Sequence, residues 1–447
     1  MTTLPPMSRR GFLGAGAAMI ALASSPPGAA GHERGRAVAF ARTREAAAAA
    51  ARGMIDAQGV PSISWALIAR DGIVWADASG AINRRGTPPD KTTLYGIGSC
   101  SKVIAVAAVM KLIEGGAVDL DAPLMDYVPA FRMESDAYRR ITVRMLMNHS
   151  SGLPGTDYRG AFTTGFHEGY AAQVMATLAH ARLKHAPGEM SVYCNDGFTL
   201  LEPLISAVSG KPFTRFIRDE LFLPLGVRRS RYGDLTVPDG QFAPAFSDGQ
   251  RLPREVVNAS ASGGLYTTPT ELGHFLSLFL NEGRFGGMQV MSPASLRLMA
   301  ENQAAREDFR PLEIADGHGL GWDAVCPASF AAHGVGVWRK NGGTATYGAD
   351  MIVAPQAGLA VAVMGASPGF PAGTLSERIL LEALVEQGTL ANMPQPVEEV
   401  AKPVISRARL EPAWFDGAFA NATGLYRFEP DSSGGARLLK AAAEGWL

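Results

Sequence analysis

Residues 98–110 read Gly98-Ser99-Cys100-Ser101-Lys102-Val103-Ile104-Ala105-Val106-Ala107-Ala108-Val109-Met110, and the inferences about this chain start from that stretch. Ser99 and Lys102 are three positions apart, and residues so spaced lie on the same face of a helix. The lysine amine can therefore reach the serine hydroxyl. The helix N-terminus adds unpaired N–H donors and a partial positive charge beside that hydroxyl. Because a free serine hydroxyl is a poor nucleophile, this arrangement indicates an activated serine.

The alternative is a helix-capping serine followed by a solvated lysine one turn later. The residues after Lys102 are apolar on every side, which predicts a buried helix that stops at Gly115-Gly116. A lysine on a buried helix needs a partner or a shifted pKa. The flanking residues therefore favour the nucleophile hypothesis.

Two later motifs accompany this pair. The chain has one Tyr-x-Asn, at Tyr193-Cys194-Asn195, and one Lys-x-Gly, at Lys340-Asn341-Gly342. It contains only eight lysines among 41 basic residues, so that two lysines in such motifs are unlikely to arise by chance. Each motif is weak alone, but the three in this order form a specific signal.

With these motifs, the chain resembles the penicillin-recognising serine hydrolases: class C β-lactamases, DD-peptidases, and related esterases and D-amino-acid peptidases. The resemblance runs from about residue 45 to about residue 385. It extends to further segments, namely Gly59-Val60-Pro61, residues 141–154 (ITVRMLMNHSSGLP), Pro187-Gly188-Glu189, Pro224-Leu225-Gly226, Ser262-Gly263-Gly264-Leu265 and Gly319-Leu320-Gly321-Trp322.

The expected fold class is α/β (α+β), a β-lactamase-like antiparallel sheet flanked by helices, with an all-helical lobe. Strand patterns lie near both ends of the matched region, at residues 62–68, 73–76, 349–353 and 359–364. Helical patterns broken by Pro and Gly lie between them. Strands at both ends with helices between imply this architecture, and the resembled family has it.

The predicted domain organisation has three parts. Residues 1–30 form a signal peptide, residues 37–389 the hydrolase domain, and residues 390–447 a linker with a short C-terminal β extension. Within the domain, about 37–98 and 331–389 form the α/β lobe, and 99–330 the mainly helical lobe. Residues 37–53 are expected to be helical.

The mechanism is a hypothesis with named roles. Ser99 attacks an acyl carbon, Lys102 is the expected base, and Tyr193 is the second proton-transfer group. Which of the two takes the first proton stays open, because coupled sites can share it.

The resemblance implies the remaining site residues. Asn195 would bind the substrate amide and Lys102. Lys340, followed by Asn341 and Gly342, would lie near Tyr193 and attract a substrate carboxylate. The N–H groups of Ser99 and Gly343 would form the oxyanion hole. Asn341 departs from the Thr or Ser usual in that motif, which puts carboxylate recognition in doubt. His149 is expected to brace a loop.

The substrate is expected to be a small peptide, an ester or a β-lactam-like molecule. The chain lacks the Ser-Asp-Asn element of class A β-lactamases. The order of preference is a DD-peptidase or D-amino-acid peptidase, then an esterase, then a class C-like β-lactamase. A penicillin-binding sensor that acylates without turnover is the alternative from another class.

Composition excludes several other classes of function. The formal net charge of −1 over 447 residues gives no electrostatic case for nucleic acid or an anionic membrane. The sequence contains no apolar stretch of about 18 or more residues, so no membrane-spanning helix is expected. The eight histidines are scattered without a metal-binding motif, so neither a metal nor a cofactor is expected.

The N-terminus predicts export. Ser8-Arg9-Arg10-Gly11-Phe12-Leu13 is a twin-arginine pattern, and the apolar run 14–23 follows it. Possible cleavage sites follow Ala23 and Ala30. The alternative is a basic N-terminus before an Ala-rich helix. The expected partner is the twin-arginine machinery, and the expected location is the bacterial periplasm or the medium.

Two of the three cysteines lie inside the motifs. A Cys100–Cys194 disulfide is one hypothesis, and two small buried thiols are the other. Twin-arginine export carries folded proteins, so folding would precede any oxidising compartment. Free thiols are therefore favoured.

Overall fold

A computed structural model describes residues 40–83, 85–233, 238–247, 250–303 and 316–394, with strand residues 418–421, 424–430, 436–442 and 445–446. The predicted signal peptide 1–30 lies outside the described residues, as does most of the predicted linker.

The helices and strands of the described chain have the following bounds. The helices are α1 (Ala41–Gln58), α2 (Ser101–Glu114), α3 (Leu124–Tyr127), α4 (Val143–Met147), α5 (Tyr170–Leu178), α6 (Asn195–Thr199), α7 (Leu201–Ser209), α8 (Phe213–Ile217), α9 (Ser260–Gly263), α10 (Pro269–Leu280), α11 (Pro293–Ala300), α12 (Ala328–Ala331) and α13 (Ala372–Glu386). The strands are β1 (Ser62–Ala69), β2 (Gly72–Gly80), β3 (Tyr95–Gly96), β4 (Phe162–Thr163), β5 (Arg231–Tyr232), β6 (Phe246–Ser247), β7 (Gln250–Arg251), β8 (Val256–Val257), β9 (Leu265–Thr267), β10 (Arg284–Phe285), β11 (Met288–Gln289), β12 (Trp338–Gly343), β13 (Gly348–Ala354), β14 (Leu359–Gly365), β15 (Ala418–Asn421), β16 (Gly424–Pro430), β17 (Ala436–Ala442) and β18 (Gly445–Trp446). Three-ten turns occupy Gly98–Cys100, Asp136–Arg140 and Asp239–Gln241, and a π-turn occupies Arg218–Phe222.

The main sheet joins the two ends of the hydrolase region. Its strand order is β12-β13-β14-β1-β2, and every neighbouring pair is antiparallel. In the register of β1, Trp65 lies opposite Val363 of β14 and Asp77 of β2. This architecture confirms the predicted α/β (α+β) class. It also brings β12, which carries Lys340, to one edge of the sheet.

The sheet is covered on both faces, so β1 is buried along almost its whole length. Trp65 and Leu67 belong to a core shared with α1 and α13, whereas Ala66 and Ile68 belong to the core around α2 and α10. Successive side chains of a strand point to opposite faces, which explains why alternate residues enter different cores.

Helix α2 lies in the centre of the larger core. Its residues from Val103 to Met110 are at most 1% exposed. An apolar helix surface on all sides requires such burial. The helix ends at Glu114 with Gly115 as its C-cap, which confirms the predicted stop.

Two details differ from the predictions. Helix α1 continues past Gly53 and ends at Gln58. Its C-cap is Gly59, whose φ of 65° is the left-handed conformation that glycine accepts readily. Residues 99–330, predicted to be mainly helical, also contain short strands, which form small sheets in the orders β4-β8, β6-β7 and β10-β11 and, together with β3 from outside this range, β3-β9-β5. Strands of two or three residues are too short to show a period of two, so the sequence pattern missed them.

The chain divides into two compact units, Met1–Met393 and Pro394–Leu447. In the second unit, the described strands form an antiparallel sheet in the order β15-β16-β17-β18. These strands lie within residues 390–447, where the sequence predicts a short β extension. Across the described ranges, the helices include none that is long and apolar enough to cross a bilayer.

Candidate active site

The site is built on the N-terminus of α2. Ser99 lies in the three-ten turn Gly98–Cys100, and Lys102 lies in the first turn of the α-helix that follows. Gly98 has a φ of 49°, and a Cβ there would come within 2.7 Å of the Gly343 nitrogen. Glycine is therefore required where this turn meets β12.

Two of the predicted side chains converge on Ser99. Lys102 Nζ donates to Ser99 Oγ at 2.9 Å, and the Tyr193 hydroxyl donates to the same oxygen at 2.8 Å. Tyr193 precedes α6 and is 94 residues away along the chain. The amine and the phenol thus both contact one alcohol.

The Lys102 amine has a partner for each of its three N–H groups. Besides Ser99 Oγ, it donates to Asn195 Oδ1 and to the Ser262 carbonyl, each at 2.7 Å. Ser262 belongs to α9. The Lys102 side chain is fully buried, and this burial is the main reason why its pKa lies below 10.5, although Tyr193 acts in the opposite direction.

Two lysine ammonium groups lie close to Tyr193. The ammonium groups of Lys102 and Lys340 are 5.0 and 5.4 Å from the centroid of its ring. Burial by itself would raise the pKa of the phenol, but these two positive charges outweigh it and hold the pKa below 10.0.

The imidazole of His149 packs against the ring of Tyr193. The two rings stack with centroids 4.3 Å apart, and His149 Nδ1 accepts the Cys194 N–H at 3.0 Å. Burial, assisted by the nearby His318, Lys102 and Lys340, holds the pKa of His149 well below 6.5. The imidazole is therefore neutral and carries its proton on Nε2, since Nδ1 accepts. His149 has a φ of 64°, a conformation uncommon for residues other than glycine.

Lys340 is buried and ion-paired. Its Nζ donates to Asp323 Oδ2 and to the Asn341 carbonyl, each at 2.7 Å. Burial by itself would lower the pKa of Lys340, but the Asp323 carboxylate outweighs this and raises it. The predictions did not include Asp323. Its only signal in the sequence is that an acidic residue directly follows the Gly319–Trp322 segment.

Strand β12 packs closely against the Ser99 turn. A Cβ on Gly342 would overlap the Ile97 carbonyl oxygen and lie 2.9 Å from the Ser99 nitrogen. Asn341, next to Gly342, is exposed. Its backbone N–H donates to Asp323 Oδ2 at 3.2 Å. The predicted oxyanion residues Ser99 and Gly343 therefore lie on two backbone segments in direct contact.

The family of the chain follows from a comparison of its whole sequence. The sequence profile of the beta-lactamase family matches residues 47–384. The chain belongs to the beta-lactamase family. It is accordingly a serine hydrolase of the type that works through an acyl-enzyme.

Individual relatives in this family are distant. Penicillin-binding protein 4 of Amycolatopsis lactamdurans is 27% identical over 313 residues, which cover 66% of this chain and 78% of that protein. The D-alanyl-D-alanine-carboxypeptidase/endopeptidase AmpH of Escherichia coli (strain K12) is 26% identical over 278 residues, covering 60% and 69%. The solved octameric penicillin-binding protein homologue from Pyrococcus abyssi has a TM-score of 0.64 at 23% identity, covering 90% of this chain and 89% of that one. This last likeness is one of fold.

The two cysteines within the beta-lactamase-family motifs are free thiols, as the sequence favoured. Cys100 Sγ donates to the Lys340 carbonyl at 3.3 Å, and Cys194 Sγ donates to the Gly155 carbonyl at 3.0 Å. Burial raises the pKa of both thiols, that of Cys194 to about 11. Because the thiolate is the reactive form, both are chemically quiet and act as packing groups.

Within the described ranges, no group of three or more His, Cys, Asp or Glu side chains is arranged to hold a metal ion.

The tight packing of Gly342 yields a first prediction. Gly342→Ala must push β12 away from the Ser99 turn, and we expect kcat to fall by about 10²-fold or more, as when one oxyanion donor is lost. Steady-state hydrolysis of an activated ester measures the effect. The control is Gly53→Ala in α1, where a Cβ meets open space and alanine suits a helix. Equal kcat values for the two variants would contradict the prediction.

Proposed function

We propose that the protein is an exported serine hydrolase of the peptidase or amidase type, which cleaves bonds next to D-amino acids through an acyl-enzyme on Ser99. One observation carries the proposal, namely that Lys102 Nζ and the Tyr193 hydroxyl both contact Ser99 Oγ, at 2.9 and 2.8 Å. Nucleophilic catalysis by serine requires a base within hydrogen-bonding distance, and this site offers two candidates.

Proton transfer begins with the Lys102–Tyr193 pair. In the structure, Lys102 and Tyr193 both donate a hydrogen bond to Ser99 Oγ. One of the two must therefore lose a proton before it can accept the proton of Ser99. A neutral Lys102 amine keeps two N–H groups for Asn195 Oδ1 and the Ser262 carbonyl, and directs its lone pair at Ser99. This match supports Lys102 as the base, with Tyr193 as the group that passes a proton to the leaving group.

The second half of the reaction uses the same groups in reverse. Water attacks the acyl-enzyme, the Lys102–Tyr193 pair takes its proton, and Ser99 regains a proton as the acid leaves. The N–H groups of Ser99 and Gly343 would stabilise the oxyanion in both halves. Asn195 accepts a hydrogen bond from Lys102 and would bind the substrate amide. Asn341 and Gly342 would contact the substrate along β12.

The names of two relatives support the substrate class. One is a penicillin-binding protein, and the other is a D-alanyl-D-alanine-carboxypeptidase/endopeptidase. An esterase is the second candidate, and the observation that favours it is the neutral, exposed side chain of Asn341 beside the ion-paired Lys340. A class C-like β-lactamase ranks third.

Covalent trapping tests the proposal directly. A fluorophosphonate or a labelled penicillin should modify the peptide that contains Ser99. Turnover is then followed with acyl-D-Ala-D-Ala peptides that have a free or an amidated C-terminus, with p-nitrophenyl esters and with nitrocefin. Turnover of the peptides supports the peptidase, while turnover of the esters or nitrocefin alone supports the corresponding alternative. A burst without turnover would indicate a penicillin-binding sensor, and modification of another residue would overturn the proposal.

The charge on Lys340 predicts a change in the pH profile. Lys340 lowers the pKa values of both Lys102 and Tyr193, and Asp323, left unpaired without it, raises both. In Lys340→Met, the pH at which kcat/KM rises should therefore move up. The matched variant Lys111→Met, on the other end of α2, should keep the wild-type profile. A downward shift in Lys340→Met would contradict the assigned base chemistry.

Export is proposed from the Ser8–Leu13 motif. Replacing Arg9 and Arg10 together by lysine should keep the protein in the cytoplasm, since the machinery recognises the arginine pair. Cell fractionation and immunoblotting measure the outcome. The control replaces Arg34 and Arg36 by lysine and should be exported normally. Undiminished export of the first variant would rule out this route.

We also propose that residues 37–389 form the hydrolase domain, with its two lobes, and that 390–447 form a separate linker and β extension. The division of the chain near residue 393 supports this organisation.

A further inference from the structure

The ammonium group of Lys340 forms an ion pair with the carboxylate of Asp323. Lys340 Nζ lies 2.7 Å from Asp323 Oδ2 and 2.7 Å from the Asn341 carbonyl oxygen. Its side chain is 1% exposed. Two of its three N–H groups are thereby used, and the centroid of the Tyr193 ring lies 5.4 Å from Nζ. Lys340 is therefore placed to act on Tyr193 and has little capacity left for a substrate anion.

Asp323 occupies the outer edge of β12. The backbone of Asp323 and Ala324 pairs with Arg339, and Asp323 Oδ2 also accepts the Asn341 N–H at 3.2 Å. The outward backbone groups of Asn341 are thus both used, its N–H by Asp323 and its carbonyl by Lys340. The Asp323 side chain is 22% exposed, so that its carboxylate is partly accessible.

A substrate carboxylate placed beside Lys340 would meet this second carboxylate. Two like charges at close range repel each other, and a partly buried site screens them less than water does. A neutral carboxamide or ester at the same position would meet no such repulsion, and it could hydrogen-bond to Asp323 or to the Asn341 side chain.

We propose that Asp323 is a specificity-determining residue, which pairs with Lys340 and selects scissile bonds whose leaving group bears no carboxylate. This inference rests on the proposed function and narrows it, from D-amino-acid peptidases in general to cleavage of internal peptide, amide or neutral ester bonds. Removal of a C-terminal residue with its free carboxylate is disfavoured.

A pair of esters that differ in one group tests the proposal on the full-length protein. N-acetyl-D-alanine is esterified with 3-hydroxybenzoic acid in one substrate and with 3-hydroxybenzamide in the other. We expect the wild-type protein to prefer the neutral ester in kcat/KM by about tenfold. In Asp323→Asn, this preference should disappear or reverse, while Asp323→Glu should retain it.

The control variant is Asp77→Asn. Asp77 pairs with Arg44 at 2.7 Å and lies on β2, at the opposite edge of the sheet from β12, so its loss should leave the ratio unchanged. A wild-type preference for the anionic ester overturns the inference, and so does an unchanged ratio in an active Asp323→Asn. If that variant does not fold, the wild-type ratio decides. Absence of any Ser99-dependent hydrolysis would instead overturn the proposed function.

Discussion

Ser99→Ala is expected to lower kcat/KM by about 10⁴-fold or more and to abolish labelling by a fluorophosphonate. The physical reason is that alanine has no oxygen to occupy the place of Ser99 Oγ, which lies 2.9 Å from the Lys102 amine and 2.8 Å from the Tyr193 phenol. Loss of the nucleophile from a comparable unit of serine and base costs the greater part of the catalysis. Hydrolysis of an activated ester and mass spectrometry of the labelled protein measure the two effects.

The neighbouring Ser101 is the matched control. Its hydroxyl donates to the Gly98 carbonyl at 2.7 Å and accepts the Leu265 N–H at 3.1 Å, so its role is structural. Ser101→Ala should cost about 1 kcal/mol of unfolding free energy but should keep both labelling and turnover. Labelling that survives in Ser99→Ala, or that is lost only in Ser101→Ala, would refute the assigned nucleophile.

Lys102→Met is expected to lower kcat by about 10³-fold, within the range that general acid–base catalysis contributes. Methionine fits the buried volume but can neither accept the Ser99 proton nor donate to Asn195 Oδ1 and the Ser262 carbonyl. In the wild-type protein, kcat/KM should rise with pH as the Lys102–Tyr193 pair loses a proton. This rise should begin below the ordinary pKa values of 10.5 and 10.0, since both pKa values are lowered. The variant should lose that dependence.

Lys111→Met serves as the control on the same helix. Lys111 donates to the Val290 carbonyl at 2.8 Å and lies 3.6 Å from Glu114, away from Ser99. We expect wild-type kcat and a wild-type pH profile from it. Near-normal turnover in a folded Lys102→Met, as judged by circular dichroism, would exclude Lys102 as the base and leave Tyr193 in that role.

The contacts around His149 explain why the site needs more than its three motifs. His149 has an uncommon backbone conformation, and its neutral imidazole stacks on Tyr193 and accepts the backbone N–H of Cys194. Both contacts fix the phenol against Ser99 Oγ without adding charge. The sequence predicted only that His149 braces a loop, since a stacking partner 44 positions away has no local signature.

The local pattern of the chain determined much of this protein by itself. The Ser99–Lys102 spacing, the apolar surface of α2 and its stop at Gly115 are short-range features, and short, mostly apolar runs in β1 and β14 predict strands. The motifs at Tyr193 and Lys340 could then be assigned by resemblance. Short-range features are encoded within a few residues, because backbone geometry repeats every 3.6 or two positions.

Only the tertiary structure decided which groups surround the two lysines. Ser262 supplies its carbonyl to Lys102 from 160 positions away, and Asp323 pairs with Lys340 across a sheet edge. The need for glycine at position 342 likewise comes from the approach of β12 to the Ser99 turn. Such contacts join segments that are far apart along the chain. Their geometry follows from how the sheet and helices pack, and no periodicity within one segment specifies the partner that packing brings to it.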